Sequence, residues 1–175
     1  MSRPDAMMFP GQGSQAQGML ADLAAARPVV AETFAEASEA LGEDLWKLAQ
    51  EGPVETLNRT EHTQPVLLAA SVAVYRAWRE AGGPAPAVAA GHSLGEYSAL
   101  VAAGVLELAD ATRIVRLRGR AMQEAVPEGE GSIAAILGLD DAAVERCCEE
   151  VAGDEVVSAA NYNAPGQVVI AGDAA

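Results

Sequence analysis

The sequence predicts an α/β protein in two parts, on three observations. Short apolar runs without alternation, at residues 6–9 and 87–90, read as strands covered on both faces, as in an α/β sheet. Longer stretches of helical periodicity lie between them. After Pro127-Glu128-Gly129-Glu130-Gly131, a linker by composition, the rhythm changes to short strands around one helix. The expected division is therefore residues 1–127 and 128–175.

Each element has a local reason. Ala6-Met7-Met8-Phe9 is stopped by Pro10-Gly11 and reads as a buried first strand. Helical periodicity over residues 17–26 is broken at Pro28, resumes to Leu41 and stops at Gly42. A short helix over residues 44–50 ends at Gly52. Thr63-Gln64-Pro65 reads as a helix start with proline in the first turn, and that helix runs to the stop at Gly82-Gly83. After the strand at 87–90, residues 91–95 make a sharp turn into a helix that ends at Gly104. Asp110 is expected to cap the next helix, which reaches about Ala125. In the second part, residues 132–137 read as a strand and Asp140 caps a helix to Val151. Strands follow at 156–160 and 167–171, with a turn at 161–166 between them. The order β-α-β-β is the beginning of a ferredoxin-like split β-α-β unit.

Composition excludes several functions. Lys plus Arg total 11 against 25 Asp plus Glu, a formal charge of −14, which argues against nucleic acid and against an anionic membrane surface. No apolar run approaches the roughly 20 residues that span a bilayer, and residues 1–10 lack the pattern of a signal peptide. Cys147 and Cys148 are adjacent and read as reduced thiols on a helix. A soluble, cytoplasmic protein is the expectation. Half of the residues are apolar and only 4% aromatic, so Ala, Val and Leu must fill the core.

Three features carry chemistry. Gly91-His92-Ser93-Leu94-Gly95 fits the G-x-S-x-G nucleophile elbow between a predicted strand and a predicted helix. Flanking glycines remove side chains that would clash in so abrupt a turn. Serine then stands at the positive end of the following helix, which favours the anion formed in acyl transfer. Phe9-Pro10-Gly11-Gln12-Gly13-Ser14-Gln15 also follows a strand and precedes a helix. It reads either as a flexible connection or as a loop whose backbone N–H groups approach a ligand beyond the strand ends. Third, Ala111, Ile114, Val115, Ala121, Met122 and Ala125 fall within about 60° of Arg118 on a helical wheel, with Arg113, Arg116, Arg120 and Gln123 opposite. A cation amid an apolar stripe needs an anion, either an internal carboxylate or that of a substrate. The outer arginines read as a solvated stripe paired with nearby Glu, or as a local basic patch. Of the two histidines, His92 diverges from Ser93 in the tight turn and His62 reads as a solvated loop residue, so neither is a convincing base.

Residues 9–15, residues 91–100, Leu117-Arg118-Gly119-Arg120, Thr63-Gln64-Pro65, residues 123–127 and residues 161–172 together resemble the bacterial malonyl-CoA:acyl carrier protein transacylases of fatty acid biosynthesis. The resemblance implies an α/β-hydrolase-like large subdomain followed by a ferredoxin-like insertion. It implies that Ser93 carries the malonyl group as an ester and that the N–H groups of Gln12 and Leu94 form the oxyanion hole. It implies that Arg118 holds the malonyl carboxylate, and that Gln64, His92 and Asn161 or Asn163 contribute to the substrate site. Malonyl-CoA and the phosphopantetheine thiol of acyl carrier protein would be the partners, without metal or organic cofactor. The family's catalytic histidine lies beyond the inserted subdomain and past Ala175, so the chain resembles the N-terminal part of such an enzyme and is expected to have little activity alone. The rival functions are a hydrolase using the same elbow, a polyketide-type acyltransferase domain, and a fragment that only binds acyl-CoA or carrier protein. Leu94 resembles the malonyl-using members rather than those taking branched units.

Overall fold

The computed structural model describes residues 5–127 and 129–174. The chain divides into two compact units, the first ending at Gln123 and the second beginning at Glu124.

In the first unit, β1 (Ala6–Phe9) and β2 (Val88–Gly91) pair in parallel, with Phe9 opposite Gly91. The helices are α1 (Ala21–Ala26), α2 (Pro28–Leu41), α3 (Leu45–Glu51), α4 (Val54–Leu57), α5 (Thr60–Glu80), α6 (Leu94–Ala102) and α7 (Leu108–Ala125). Helix α5 is the centre of the core. From Thr63 to Ala73 every residue is buried, and a helix buried all round has to lie inside its domain. Phe34 of α2 meets Trp46 of α3 edge-on at 5.0 Å, and Phe9 of β1 meets Tyr75 of α5 at 6.3 Å, which supplies bulk to an otherwise aliphatic core. Capping follows the sequence at α2, with Pro28 at its first position and Gly42 at its end, and at α3, where the Asp44 carboxylate accepts from Lys47 N–H at 2.8 Å.

The first unit departs from expectation in five places. Helical structure near residue 17 begins only at Ala21, after a turn. Helix α5 starts at Thr60, one turn before the expected Thr63, so Pro65 lies inside it. Its first turn is already closed, since the N–H groups of His62 and Thr63 both donate to Arg59 O at 2.8 Å. Proline then removes a single bond, and burial of the following residues outweighs that loss. Helix α7 starts at Leu108, so Asp110 lies in its first turn, where it pairs with Arg113 at 2.8 Å, rather than at its cap. The strands are not covered on both faces: Met8 and Val88 are exposed, because α6 packs on one side of this two-stranded sheet.

The fifth departure concerns α7. Its buried face is Leu108, Ala111, Thr112, Val115, Arg116 and Gly119, while Ile114 and Met122 are exposed. The face centres on Gly119, the residue that lets this helix come closest to another. A Cβ at Gly119 would lie 2.7 Å from Glu61 Cα and 2.7 Å from Thr60 O. Arg118 therefore sits at the flank, half-exposed, and Arg116 is the buried arginine, paired with Glu43. Arg113 and Arg120 are paired as well, with Asp110 and Glu61, so the stripe is internally neutralised rather than a free basic patch.

In the second unit, β3 (Gly131–Leu137), β4 (Val157–Ala164) and β5 (Gln167–Asp173) form a sheet of order β3-β5-β4. Strand β5 is antiparallel to both neighbours, so β3 and β4 run parallel with α8 (Asp141–Val151) connecting them. Asp140 caps α8 by accepting from Ala143 N–H at 2.7 Å. Val144 and Cys148 of α8 pack with Val168, Ile136 and Ile170, and Cys147 is exposed. Ile133 and Leu137 point the other way and are exposed. Residues 161–164, expected in a turn, continue β4, and the turn is confined to Pro165-Gly166. Pairing with β5 overrides the turn-forming composition, at the cost of two register irregularities between Ala159 and Ala164. Among the described residues, no helix is long and apolar enough to cross a membrane.

Candidate active site

The site grows from the backbone at the end of β2. Ser93 has φ 53° and ψ −109°, a conformation that a residue with a side chain adopts at a cost of about 1–3 kcal/mol. The glycines around it explain how the chain turns there. A Cβ on Gly91 would lie 2.0 Å from the carbonyl of Gly95, and a Cβ on Gly95 would lie 2.3 Å from Phe9 O. The end of β1, the end of β2 and the start of α6 thus touch backbone to backbone. Gly95→Ala is expected to destabilise the first unit by about 3 kcal/mol or more, because neither side of that contact can yield. Thermal denaturation beside an Ala substitution at the exposed Glu80, at the end of α5, would check it.

Ser93 is exposed at the start of α6. Gly95 N–H donates to His92 O at 2.9 Å and Glu96 N–H to Ser93 O at 3.2 Å. Leu94 N–H, at the first helical position, has no carbonyl of its own helix ahead of it. Arg118 reaches over from α7: its Nη2 donates to Ser93 Oγ at 2.9 Å, and its guanidinium lies 5.9 Å from the ring centre of Tyr97 on α6. The structure thus brings together two residues 25 positions apart that the sequence singled out separately.

The loop after β1 is built rather than slack. Ser14 Oγ donates to Gly11 O at 2.8 Å, and Gly13 N–H donates to Gln15 Oε1 at 2.9 Å. Two bonds tie it to the entry of α5: Gln12 Nε2 to Thr60 Oγ1 at 3.2 Å, and Gln15 Nε2 to Asn58 Oδ1 at 2.9 Å. A Cβ on Gly11 would lie 3.0 Å from His92 O and 3.3 Å from His92 Nδ1, so this loop runs alongside the elbow. Gln64 is wholly buried in α5, where its Nε2 donates to Met122 Sδ at 3.3 Å and its Oε1 has no partner among the described residues. Met122 lies one helical turn beyond Arg118. Asn161 and Asn163 lie on β4 of the second unit.

His62 is not a solvated loop residue. It lies in the first turn of α5, its ring 3.8 Å from Glu43 and 3.9 Å from Glu61. Burial, then the neighbouring Arg116, lower its pKa against the pull of Glu61 and Glu43. Burial raises the pKa of Glu61, but the Arg120 bond, His62, Arg59 and Arg116 outweigh it and the net shift is downward. Both shifts act in one direction on folding. Each group binds fewer protons folded than unfolded, so stability is full above the unfolded pKa values and is lost as pH falls through the folded ones. The denaturant midpoint is expected to begin falling below about pH 6.5, the ordinary histidine value, and His62→Gln should flatten that upper part of the curve while leaving the carboxylate part below. A series of urea melts against pH would check it. Among the described residues, no group of three or more His, Cys, Asp and Glu is placed to hold a metal ion.

Sequence reasoning missed Thr60, Glu61 and Tyr97 as neighbours of these groups, and no local pattern marks them. Comparison with known proteins adds to the geometry. Residues 7–175 match the family model described as "Acyl transferase domain". The malonyl CoA-acyl carrier protein transacylase of Escherichia coli K12 is 66% identical over 167 residues, which is 95% of this chain and 54% of that protein. The Bacillus subtilis protein of the same name is 49% identical, over 97% of this chain and 53% of its own length. Among solved structures, the transacylase of Coxiella burnetii aligns with a TM-score of 0.93 at 54% identity, over 98% of this chain and 55% of that one. A malonyl-transacylase in complex with its type II PKS acyl-carrier protein aligns with a TM-score of 0.92 at 62% identity, over 98% and 56% of the two chains. The chain spans about half the length of the curated relatives it matches.

Proposed function

Because the chain belongs to the acyl transferase domain family, we propose that it provides the nucleophile and the acyl-recognition arginine for transfer of a malonyl group from malonyl-CoA to the phosphopantetheine thiol of acyl carrier protein. The observation that carries this reading is the Arg118 Nη2 to Ser93 Oγ contact at 2.9 Å across a strained elbow. A hydrolase acting on neutral acyl groups has no use for a guanidinium beside its nucleophile. A malonyl thioester has a free carboxylate a few ångströms from its reacting carbonyl, and Arg118 is close enough to Ser93 to hold one while the other reacts.

In this reading Ser93 Oγ attacks the thioester carbon and its proton passes to a general base. The carbonyl oxygen becomes an oxyanion, stabilised by the N–H groups of Leu94 and Gln12 and by the N-terminus of α6. The thiolate of coenzyme A leaves and the malonyl group remains on Ser93. The carrier thiol then attacks the ester by the reverse route. His62 lies 3.8 Å from Glu43 and 3.9 Å from Glu61, and by resemblance to the family the base is instead a histidine that follows the inserted subdomain. We take the first unit as part of an α/β-hydrolase-like subdomain, supported by the parallel β1–β2 pair and the strand–elbow–helix turn. We take the second as a ferredoxin-like β-α-β-β element, supported by the order β3-β5-β4. Asn161 and Asn163 belong to the substrate site by resemblance to the family, and no metal or organic cofactor is required. The test is intact mass of the full-length protein after treatment with malonyl-CoA. One malonyl group should be gained and should map to the peptide carrying Ser93, and a gain mapped elsewhere sinks the reading.

A further inference from the structure

We propose that the first turn of α5, through Thr60 and Glu61, is a positioning strut that sets the loop after β1 and the Arg118 guanidinium at fixed places about Ser93. This rests on the roles given above to Ser93, Gln12 and Arg118, and adds two residues that no motif marks.

Three contacts meet on this turn. Thr60 Oγ1 accepts from Gln12 Nε2 at 3.2 Å, and Asn58 just before it accepts from Gln15, so the loop carrying the Gln12 N–H is tied to it twice. On its other side the α7 backbone rests directly against it, since even a methyl group at Gly119 would come within 2.7 Å of Thr60 O. Gly119 is the residue next to Arg118. Glu61 then fixes the rotation of α7: its carboxylate accepts from Arg120 Nε at 3.2 Å and forms an ion pair with Arg59 at 2.9 Å. Arg116, one turn before Arg120, is held by Glu43. With residues 116 and 120 paired and Gly119 seated, the rotation of α7 about its axis is set, and the Arg118 side chain leaves the helix on the side of Ser93. A one-residue slip of the helix would swing it by about 100° and remove it from Ser93. Thr60 and Glu61 thus act through Gln12 and Arg118 rather than on the substrate.

The two residues serve different partners, so their substitutions should give different kinetic signatures in the full-length protein. Thr60→Val keeps the shape and removes the acceptor. It should lower turnover of malonyl-CoA and acetyl-CoA alike, by about tenfold, with their ratio and KM unchanged. Glu61→Gln should lower the malonyl-to-acetyl ratio of kcat/KM by about tenfold and leave acetyl transfer nearly intact. Arg120→Gln, on the exposed side of the same pair, should reproduce the Glu61→Gln ratio, and neither change should add to the loss of ratio caused by Arg118→Ala. Unchanged kinetics, or equal losses for both acyl groups in the Glu61 and Arg120 variants, overturn the proposal. If Arg118→Ala shifts the ratio and Glu61→Gln does not, only the strut falls. If Arg118→Ala leaves the ratio unchanged, the recognition role of Arg118 falls and the strut falls with it.

Discussion

Replacement of Ser93 by alanine is expected to abolish the malonyl adduct and to lower transfer by about 10⁶-fold, the scale seen when a serine hydrolase loses its nucleophile. The expectation follows from the uniqueness of the position. Ser93 is exposed just past the end of β2, at the N-cap of α6, with Arg118 at 2.9 Å. Ser98, four residues beyond Leu94 on the same helix, is buried and cannot substitute for it. Alanine removes the oxygen and leaves the two glycine contacts untouched, so the variant should fold and still bind malonyl-CoA. The measurement is a malonyl-transfer assay on the full-length protein beside intact mass. An adduct at full occupancy in Ser93→Ala would mean that the nucleophile lies elsewhere.

Arg118→Ala should cost roughly 2–5 kcal/mol in malonyl transfer, the penalty for leaving the substrate carboxylate without its charged partner. That is a loss of about 30-fold or more in kcat/KM. Acetyl transfer, which has no carboxylate to place, should fall less or rise. Arg118→Lys should recover part of the charge and little of the selectivity, since an ammonium cannot present two parallel donors. Equal losses for malonyl and acetyl groups in Arg118→Ala would assign the residue a structural role. Its partners are Ser93 and the Tyr97 ring, with no carboxylate paired to it among the described residues, and this leaves the guanidinium able to take one from a substrate.

The elbow was legible in the sequence because its physics is local: the two glycines are demanded by contacts within a few residues and with the adjacent strand end. Arg118 was singled out on a different ground from the one the structure supplies. A helical wheel placed it at the middle of a buried stripe, whereas it lies on the flank and Arg116 is the buried one. The wheel weighs side chains by polarity and cannot know that Glu43, 73 residues away, neutralises Arg116. Nor can it know that Gly119 allows the closest approach. The same limit applies to His62. Pro65 suggested a helix start, but the turn before it was fixed by tertiary packing. Asparagines 161 and 163 suggested a turn, and strand pairing prevailed. The β-α-β-β order of the second part, by contrast, was legible because its caps and turns lie between short, clearly bounded runs.

The positive φ of Ser93 also bears on how substitutions at this site would be sorted under selection. At positions 91 and 95, any side chain meets backbone within 2.3 Å, so variants there should vanish from a library sorted by protein abundance alone. Position 93 is different. Glycine adopts its dihedral angles freely, so the variant best tolerated for abundance there is one that cannot catalyse. A lineage that kept the fold but stopped using the chemistry would therefore drift at residue 93 while 91 and 95 stayed fixed, and a serine retained there, against that pull, records selection on acyl transfer itself.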